Sequence, residues 1–518
     1  MRSAALAAVL AATSLSAQQP GVNVLSYRFA ISLPDTGTAI RARARIFFRR
    51  SSGSGDTLRL DLVGLTVDSV WGRYRRPLRF THTDGSLKIW LGPGSGSDQV
   101  TIAYHGTPQD GLIGAAFGDN WPERARYWLP TIDTPGDKAT VEFAVDAPAD
   151  RRVVATGTLF RVERSARGRR VWTWSASHPL PTYVMVIGAG RFSVSRHRPV
   201  IHGRDTIPVQ VWAFPDDSAF ADSVPFRRAT EIVEIMERLA GPFPYEKLAH
   251  VESSTRYGGM ENATAIFYPA KPYGDRTMRE GVVRHETAHQ WFGDAVTEGA
   301  WAHLWLSEGF ASYFDLVIGA ALDGDSVLTG GMARYARGYL GSKVVDRPLV
   351  DSAEHDPNNL LNENSYQKGA WVLHMLRETV GDSAFFRGIR EYYRVYRDST
   401  ALSADFQRVM ERAASRSLEG FFHQWLWQPG YPRLTVTWRY EAADRRVRLD
   451  VAQEQPDAWG TFRLPRLEIL AETGNAQVRR VFSMDSRTMI AFIEMDEPPT
   501  AIRIDPDARL LVTATVVP

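Results

Sequence analysis

Two kinds of hydrophobic periodicity divide this chain into three parts. Between residues 22 and 210, apolar residues alternate with other residues, as in the run Tyr27, Phe29, Ile31 and Leu33. Alternation with a period of two indicates strands with one buried face. Apolar residues fall at helical spacing through residues 211–430, and the alternation returns from 431 to 518. The pattern predicts a multidomain α+β fold with an N-terminal antiparallel β domain, a mostly helical middle domain and a small C-terminal β-sandwich.

Two helices of the middle domain have predicted start signals. Thr277 is followed three residues later by Glu280, which predicts a capping box at the start of the first helix. Ser307 is the predicted N-cap of the second helix, which begins in the run WLSEGFASYF. The residues of greatest chemical interest lie on these two helices.

The first helix carries the pattern His285-Glu286-x-x-His289. Histidines four residues apart lie on one face of a helix, so both imidazoles can reach one ion. Glu308 follows after 18 intervening residues and can supply a third ligand from the second helix. Two histidines and one carboxylate suit a catalytic Zn²⁺ with an open fourth position, and Glu286 is then the candidate general base. The alternative is that the two histidines are exposed on a helix and bind no metal. The presence of Glu308 on a second helix disfavours it.

The motif HETAH with its distant glutamate resembles the gluzincin aminopeptidases related to aminopeptidase N and the leukotriene hydrolases, peptidase family M1. The run Gly258-Gly259-Met260-Glu261-Asn262 resembles the exopeptidase motif GxMEN of that family. The run beginning at Tyr366, YQKGA, resembles its Tyr-x-Lys-Gly-Ala segment. Two further stretches, 126–143 and 421–432, are also similar. The resemblance covers most of the chain and implies a thermolysin-like catalytic domain.

The resemblance also implies roles for individual residues. The metal ligands of one Zn²⁺ would be His285, His289 and Glu308. Catalysis would use Glu286 as the base and Tyr366 as the donor to the developing oxyanion. The substrate would be a peptide with a free N-terminus, held by Glu261 at its α-amino group and by Gly258, Gly259, Met260 and Asn262 along its backbone. The implied function is a zinc-dependent metalloaminopeptidase that hydrolyses the N-terminal peptide bond.

Two alternative functions remain on the same scaffold. A metalloendopeptidase would give Glu261 no role, which the GxMEN-like run argues against. A catalytically inactive binding protein would be expected to lack the base or the tyrosine, and both Glu286 and Tyr366 are present.

The chain departs from the family pattern in three places. Trp121 stands where the family usually has Gln or Glu, twelve residues before Asp133, so a second anchor for the α-amine is missing. Asp119 or Asn120 is an alternative anchor. His303 stands where the family commonly has Asp, so a contact beside the metal site should differ. The pattern of the large C-terminal helical domain found in many family members is absent before residue 518, which predicts a site that is more open or is closed by an oligomer partner.

Composition limits the function classes and suggests a compartment. The formal net charge is +2, so nothing favours nucleic acid as a partner, and the chain has no cysteine and no disulfide framework. The first residues combine Arg2, an apolar run from Ala4 to Ala12 and small residues. This pattern is typical of a secretory signal peptide, predicted here as residues 1–17 with cleavage after Ser16 or Ala17. We therefore expect an exported protein, periplasmic or secreted.

Overall fold

The computed structural model describes residues 19–203 and 205–518. The signal peptide predicted for residues 1–17 lies outside the described residues. The predicted order of a β domain, a helical catalytic domain and a small β-sandwich is confirmed. Within the described part of the chain, no helix is both long and apolar enough to cross a membrane.

The N-terminal domain consists of fourteen strands among the described residues and has three sheets. Its strands are β1 (Val22–Ser32), β2 (Ile40–Arg50), β3 (Thr57–Asp61), β4 (Thr66–Trp71), β5 (Phe80–Thr83), β6 (Ser86–Trp90), β7 (Gly96–Gly106), β8 (Leu112–Ile113), β9 (Phe117–Gly118), β10 (Lys138–Ala147), β11 (Arg152–Ala155), β12 (Thr158–Arg164), β13 (Arg170–Pro181) and β14 (Ile187–Gly190). The largest sheet has the order β12-β13-β10-β1-β2-β7-β4. The two others have the orders β3-β6-β5 and β11-β14-β9-β8.

The alternating residues of β1 face the core of this domain. Tyr27, Phe29 and Ile31 are almost fully buried, whereas the residues between them are exposed. Burial of one face and exposure of the other is what the period of two predicted. Most neighbours in the large sheet are antiparallel, but β1 and β10 pair in parallel. Alternation does not encode strand direction, so this pairing was not predictable from the pattern.

Among its described residues, the catalytic domain contains ten α-helices and eight short strands. Its helices are α1 (Ser218–Ser223), α2 (Ala229–Ala240), α3 (Ala270–Gly274), α4 (Glu280–His289), α5 (Trp305–Asp323), α6 (Ser326–Leu340), α7 (Gly369–Val380), α8 (Asp382–Tyr396), α9 (Ser403–Ala414) and α10 (Glu419–Phe422). Its strands are β15 (Ser193–Arg196), β16 (Val200–His202), β17 (Asp205–Ile207), β18 (Val209–Ala213), β19 (Leu248–Ser253), β20 (Ala265–Pro269), β21 (Val296–Glu298) and β22 (Ser399–Ala401).

A four-stranded sheet with the order β15-β18-β19-β20 precedes the metal helix α4. It contains strands from both sides of residue 210. The domain boundaries predicted at 210 and 430 stay predictions.

Both predicted helix starts are wrong. Helix α4 begins at Glu280 without a side-chain cap, and the Glu280 carboxylate instead accepts hydrogen bonds from Arg228 and Arg284. Helix α5 begins at Trp305, so Ser307 lies inside its first turn. Trp305 is fully buried, and packing extends this helix beyond the polar residue that the local pattern favoured as its start.

The C-terminal domain has seven strands in two sheets, as a sandwich requires. They are β23 (Arg433–Glu441), β24 (Arg446–Gln453), β25 (Leu464–Glu472), β26 (Gln477–Met484), β27 (Thr488–Glu494), β28 (Ala501–Ile504) and β29 (Thr513–Val517). The sheet orders are β27-β24-β23-β29 and β26-β25-β28.

The N-terminal domain supports the loop that follows the metal helix. The Nζ of Lys138 donates hydrogen bonds to the carbonyl oxygens of Asp294 and Ala295, each at 2.9 Å. The hydroxyl of Tyr183 donates to the carbonyl of Gly293 at 3.1 Å. These contacts fix the loop 293–295 against a second domain and leave the helix end little freedom.

Candidate active site

Three side-chain atoms from α4 and α5 lie around one point. The Nε2 atoms of His285 and His289 are 3.1 Å apart, and each is 3.3 Å from Oε2 of Glu308. In a tetrahedron with metal–ligand bonds of about 2.0 Å, ligand atoms lie about 3.3 Å apart. The three atoms therefore form one face of a tetrahedron of the size that Zn²⁺ requires. We call the set His285, His289 and Glu308 the metal triangle.

The surroundings of His289 leave its Nε2 free for a metal. Its Nδ1 lies 3.1 Å from the carbonyl oxygen of Phe292, which can only accept a hydrogen bond. The proton must therefore be on Nδ1, so the lone pair of Nε2 faces His285 and Glu308. The hydroxyl of Ser307 lies 3.0 Å from the same Nδ1. Ser307, predicted as a helix cap, thus belongs to the support of a metal ligand.

Glu286 lies beside this triangle and packs against the backbone of the GxMEN-like run. A Cβ atom at Gly259 would collide with Oε1 of Glu286, so this position cannot hold any larger residue without movement. Carboxylate oxygens of Glu286 and Glu261 and a ring nitrogen of His289 all lie within 4.8 Å of one another. The candidate base and the candidate amine anchor are therefore neighbours of the metal triangle.

The backbone around Glu261 is held from two sides. Met260 and Phe267 of β20 exchange two backbone hydrogen bonds of 2.8 and 2.9 Å. The side-chain amide of Gln290, directly after the metal helix, donates to the carbonyl of Glu261 at 2.7 Å. Gln290 was not predicted as a functional residue. Its position one residue after His289 is the only sequence signal that could have drawn attention to it.

Tyr366 lies on a π-helical turn, Asn364–Lys368, that runs into α7. Such turns are rare and occur often at functional sites. The turn can approach α5 because glycines meet there: a Cβ at Gly309 would lie only 2.8 Å from the Cα of Gly369. This close approach places the ring of Tyr366 parallel to His285, with centroids 6.1 Å apart.

A cavity of about 350 Å³ joins these groups. The predicted site residues that line it are Gly258, Gly259, Met260, Glu261, His285, Glu286, His289, Glu308 and Tyr366. Asn262 is the exception: it is fully buried and does not line the cavity. The side-chain amide of Asn262 has no hydrogen-bond partner among the described residues. The structure therefore brings nine of the ten predicted residues together.

Trp121 forms one wall of this cavity. Its ring packs edge-on against Tyr257 at 6.0 Å and against Trp301 at 5.5 Å. Neither alternative anchor takes its place. Asp119 binds Thr255 and Arg256, and the Asn120 amide donates to backbone carbonyls. Of the candidate amine anchors Glu261, Asp119 and Asn120, Glu261 is therefore the one that lines the cavity.

Burial and mutual proximity shift the pKa values of the acids in the site. Burial raises the pKa of Glu261 to about 7 and raises that of Glu286 well above its ordinary value. For Glu308 burial acts in the same direction, but His289 and His285 prevail and hold its pKa below the ordinary value. A charged Glu308 beside two histidines is the donor set that a divalent cation completes.

His303 makes a structural contact away from the metal triangle. Its Nδ1 lies 2.8 Å from Oγ of Ser403 and 3.3 Å from the backbone nitrogen of Ser403, the first residue of α9. The indole of Trp305 donates to the same hydroxyl at 2.8 Å. A neutral imidazole that accepts at a helix N-terminus replaces the carboxylate that the family pattern would place here. Burial lowers the pKa of His303 to about 4, partly opposed by Asp405.

We expect His303 to make folding weaken as the pH falls. An unfolded histidine has a pKa of about 6.5, so its contribution is fully present above that pH and is lost as the pH falls toward 4. The slope is about 1.4 kcal/mol per pH unit in this window. His303→Asn keeps an acceptor without titrating, so the difference in urea midpoint between the two proteins should shrink or reverse between pH 7.5 and pH 4.5. Parallel pH profiles of the two proteins would contradict the assignment.

Two histidines and a glutamate around one point, with a buried acid beside them, define the zinc-metallopeptidase class of site. Comparison with known families agrees. The model of the peptidase family M1 domain matches residues 226–425, and that of the peptidase M1 N-terminal domain matches residues 103–184. The chain belongs to peptidase family M1.

Similar proteins share only part of their length with this chain. The tricorn protease-interacting factor F2 of Thermoplasma acidophilum is 26% identical over 451 residues, which are 80% of this chain and 54% of that protein. Mouse aminopeptidase B is 28% identical over 327 residues, 59% of this chain and 48% of that protein. The chain thus spans about half the length of the curated relatives it matches.

Solved structures show the same fold. A zinc metallopeptidase of family M1 from Deinococcus radiodurans is 25% identical, with a TM-score of 0.69 over 80% of this chain and 95% of that chain. Aminopeptidase A of Legionella pneumophila, solved with aspartic acid, is 18% identical, with a TM-score of 0.84 over 96% of this chain and 60% of that chain. The Legionella likeness concerns the fold alone.

Proposed function

We propose that this chain is a zinc-dependent aminopeptidase that releases the N-terminal residue of peptides. The observation that carries the proposal is the position of Glu261. Its carboxylate lies within 4.8 Å of Glu286 and His289, in the same cavity as the metal triangle. A carboxylate so close to the reacting centre leaves room for one residue between itself and the scissile bond. Its negative charge is complementary to a free α-ammonium group. An endopeptidase would have to pass a longer chain through that point.

The residues present fit a zinc ion. Its ligands would be His285, His289 and Glu308, whose donor atoms have the mutual distances that tetrahedral coordination needs. When bound, zinc supplies a Lewis acid that polarises the scissile carbonyl and favours deprotonation of water.

The other residues of the cavity then divide the proton and charge transfers. Glu286 takes the proton of the attacking water and passes it to the leaving amine. The Tyr366 hydroxyl donates to the carbonyl oxygen as negative charge develops there. Glu261 accepts hydrogen bonds from the α-ammonium group and so places the first peptide bond beside Glu286.

A panel of aminoacyl fluorogenic substrates, assayed with and without a chelator, tests this function. We expect hydrolysis of free-amine substrates, loss of activity after dialysis against 1,10-phenanthroline, and recovery on addition of stoichiometric Zn²⁺. The same panel shows which N-terminal side chain fits beside Met260 and Trp121. N-acetylated counterparts serve as the matched control. Equal cleavage of acetylated and free substrates would favour the endopeptidase alternative, and no cleavage of either by zinc-loaded protein would favour the inactive binding protein.

We propose further that the protein is exported. The support is the composition of residues 1–17, with Arg2 before an apolar run and small residues after it. Mass spectrometry of the protein expressed in a bacterial host tests this. Loss of about 16 or 17 residues from the protein recovered in the periplasm is expected, and an intact N-terminus in the cytoplasm would contradict it.

A further inference from the structure

The N-terminal domain holds the segment that leads into the GxMEN-like run. Asp119 is fully buried, and its Oδ2 accepts a hydrogen bond from Nε of Arg256 at 2.7 Å. Its Oδ1 accepts from the hydroxyl of Thr255 at 3.1 Å. Asp110 accepts a second hydrogen bond from Arg256, at 2.5 Å. One arginine of the catalytic domain is thus held by two aspartates of the N-terminal domain.

Tyr257, the residue after Arg256, makes a second contact with the N-terminal domain. The guanidinium of Arg124 donates to the hydroxyl of Tyr257 at 2.6 Å and to Asp110 at 3.0 Å. Tyr257 also packs against Trp121 and lines the cavity. We call the set Asp110, Asp119, Arg124, Thr255, Arg256 and Tyr257 the interdomain clamp. It ends one residue before Gly258 and four residues before Glu261.

The clamp resists movement of this segment because its contacts are charge-assisted and are centred on the fully buried carboxylate of Asp119. Hydrogen bonds between ionised partners are roughly twice as strong as neutral ones. Arg256 bridges both aspartates, and this raises its pKa although burial alone would lower it. Beyond the clamp, Glu261 is tied to Gln290 through its backbone carbonyl. The segment 255–261 is therefore fixed at one end to the N-terminal domain and at the other to the metal helix.

We propose that Asp119 and Arg256 are positioning residues that set the distance between the Glu261 carboxylate and the metal triangle. This inference rests on the proposed aminopeptidase function. Neither residue lines the cavity, so each acts through the segment that carries Glu261. Groups that orient a binding residue must hold it to within about 0.5 Å for full effect. Loosening the clamp should thus cost recognition of the α-amine and leave the metal centre intact.

Inhibition by two hydroxamates measures this recognition directly. Leucine hydroxamate carries the α-amine, and 4-methylpentanoyl hydroxamate is the same molecule without it. Both have the same zinc-binding group, so the ratio of their Ki values reports the contribution of the amine alone. We expect a ratio of tenfold or more in the zinc-loaded parent protein. In Arg256→Gln the ratio should fall by about tenfold, while the Ki of the compound without the amine changes less than threefold.

The second variant tests whether the two residues act as a pair. Asp119→Asn should lower the ratio like Arg256→Gln, and the double variant should be no worse than either alone. Arg256→Lys keeps the charge and should recover part of the ratio. Asp150→Asn is the matched control, because it breaks an exposed ion pair with Arg191 elsewhere in the N-terminal domain. Arg256 is 40% exposed, so its replacement is compatible with folding, which the melting temperature and zinc content verify.

The outcomes separate this inference from the proposed function. If the tenfold ratio of the two Ki values in the parent protein persisted in Arg256→Gln, the positioning role would be overturned and the proposed aminopeptidase function would stand. Equal weakening of both hydroxamates in the variant would also overturn it, since that indicates damage to the metal centre. A parent ratio near one would refute both the amine recognition and the inference that depends on it.

Discussion

Glu286→Gln is expected to lower kcat by about three orders of magnitude, within the range that general-base catalysis contributes. The amide has the shape of the carboxylate and keeps its place against Gly259, whose absent Cβ makes room for it. It cannot accept the proton of the attacking water. Because Glu286 contributes no atom to the metal triangle, the zinc content should remain one ion per chain. Steady-state kinetics and elemental analysis of the same sample measure both quantities.

The control for this variant is Glu280→Gln on the same helix. Glu280 binds Arg228 and Arg284 and does not line the cavity, so its replacement should leave kcat within about a factor of two. Substantial turnover in zinc-loaded Glu286→Gln would show that another group is the base. Loss of zinc from the variant would instead show that Glu286 supports the metal triangle.

The metal site was predictable because its information is local. The spacing of His285 and His289 is fixed by the pitch of one helix, and Glu308 follows on the next helix. The GxMEN-like and YQKGA-like runs are also contiguous in sequence. Short-range patterns of this kind survive folding, so the structure brings them together as expected.

The predictions that proved wrong concern residues whose partners are distant in sequence. Glu280 would have capped its own helix, but Arg228 lies 52 residues away and takes its carboxylate. Asp119 was an alternative amine anchor, but Arg256 and Thr255 engage it across more than 130 residues. A local pattern cannot rank such competitors, because tertiary contacts decide which partner a polar side chain finds.

The support of the site was equally hidden from the sequence. Ser307 and Gln290 stand next to predicted residues, yet nothing in their type indicates that one contacts His289 and the other Glu261. The close approach at Gly309 and Gly369 likewise needs two helices whose relative position the sequence does not state. The metal-binding residues follow from spacing along the chain, and the contacts that support them follow from how the helices and loops of the catalytic domain pack together.

Tyr366→Phe is expected to lower kcat by about two orders of magnitude and to change KM much less, by analogy with the loss of one oxyanion donor. The phenol approaches the carbonyl oxygen only as that oxygen gains charge, so its hydrogen bond belongs to the transition state. The ring itself should stay in place, because the π-helical turn and the close contact of Gly309 with Gly369 position it independently of the hydroxyl.

Two inhibitors distinguish this role from a packing role. A phosphinic dipeptide analogue resembles the tetrahedral transition state, and its affinity should fall by the same factor as kcat/KM in Tyr366→Phe. An amino-acid amide resembles the ground state, and its affinity should be nearly unchanged. Tyr339→Phe is the matched control, since that buried hydroxyl donates to Gly430 outside the cavity. If both inhibitors weakened equally, Tyr366 would be a wall of the cavity, and the oxyanion would need a different donor.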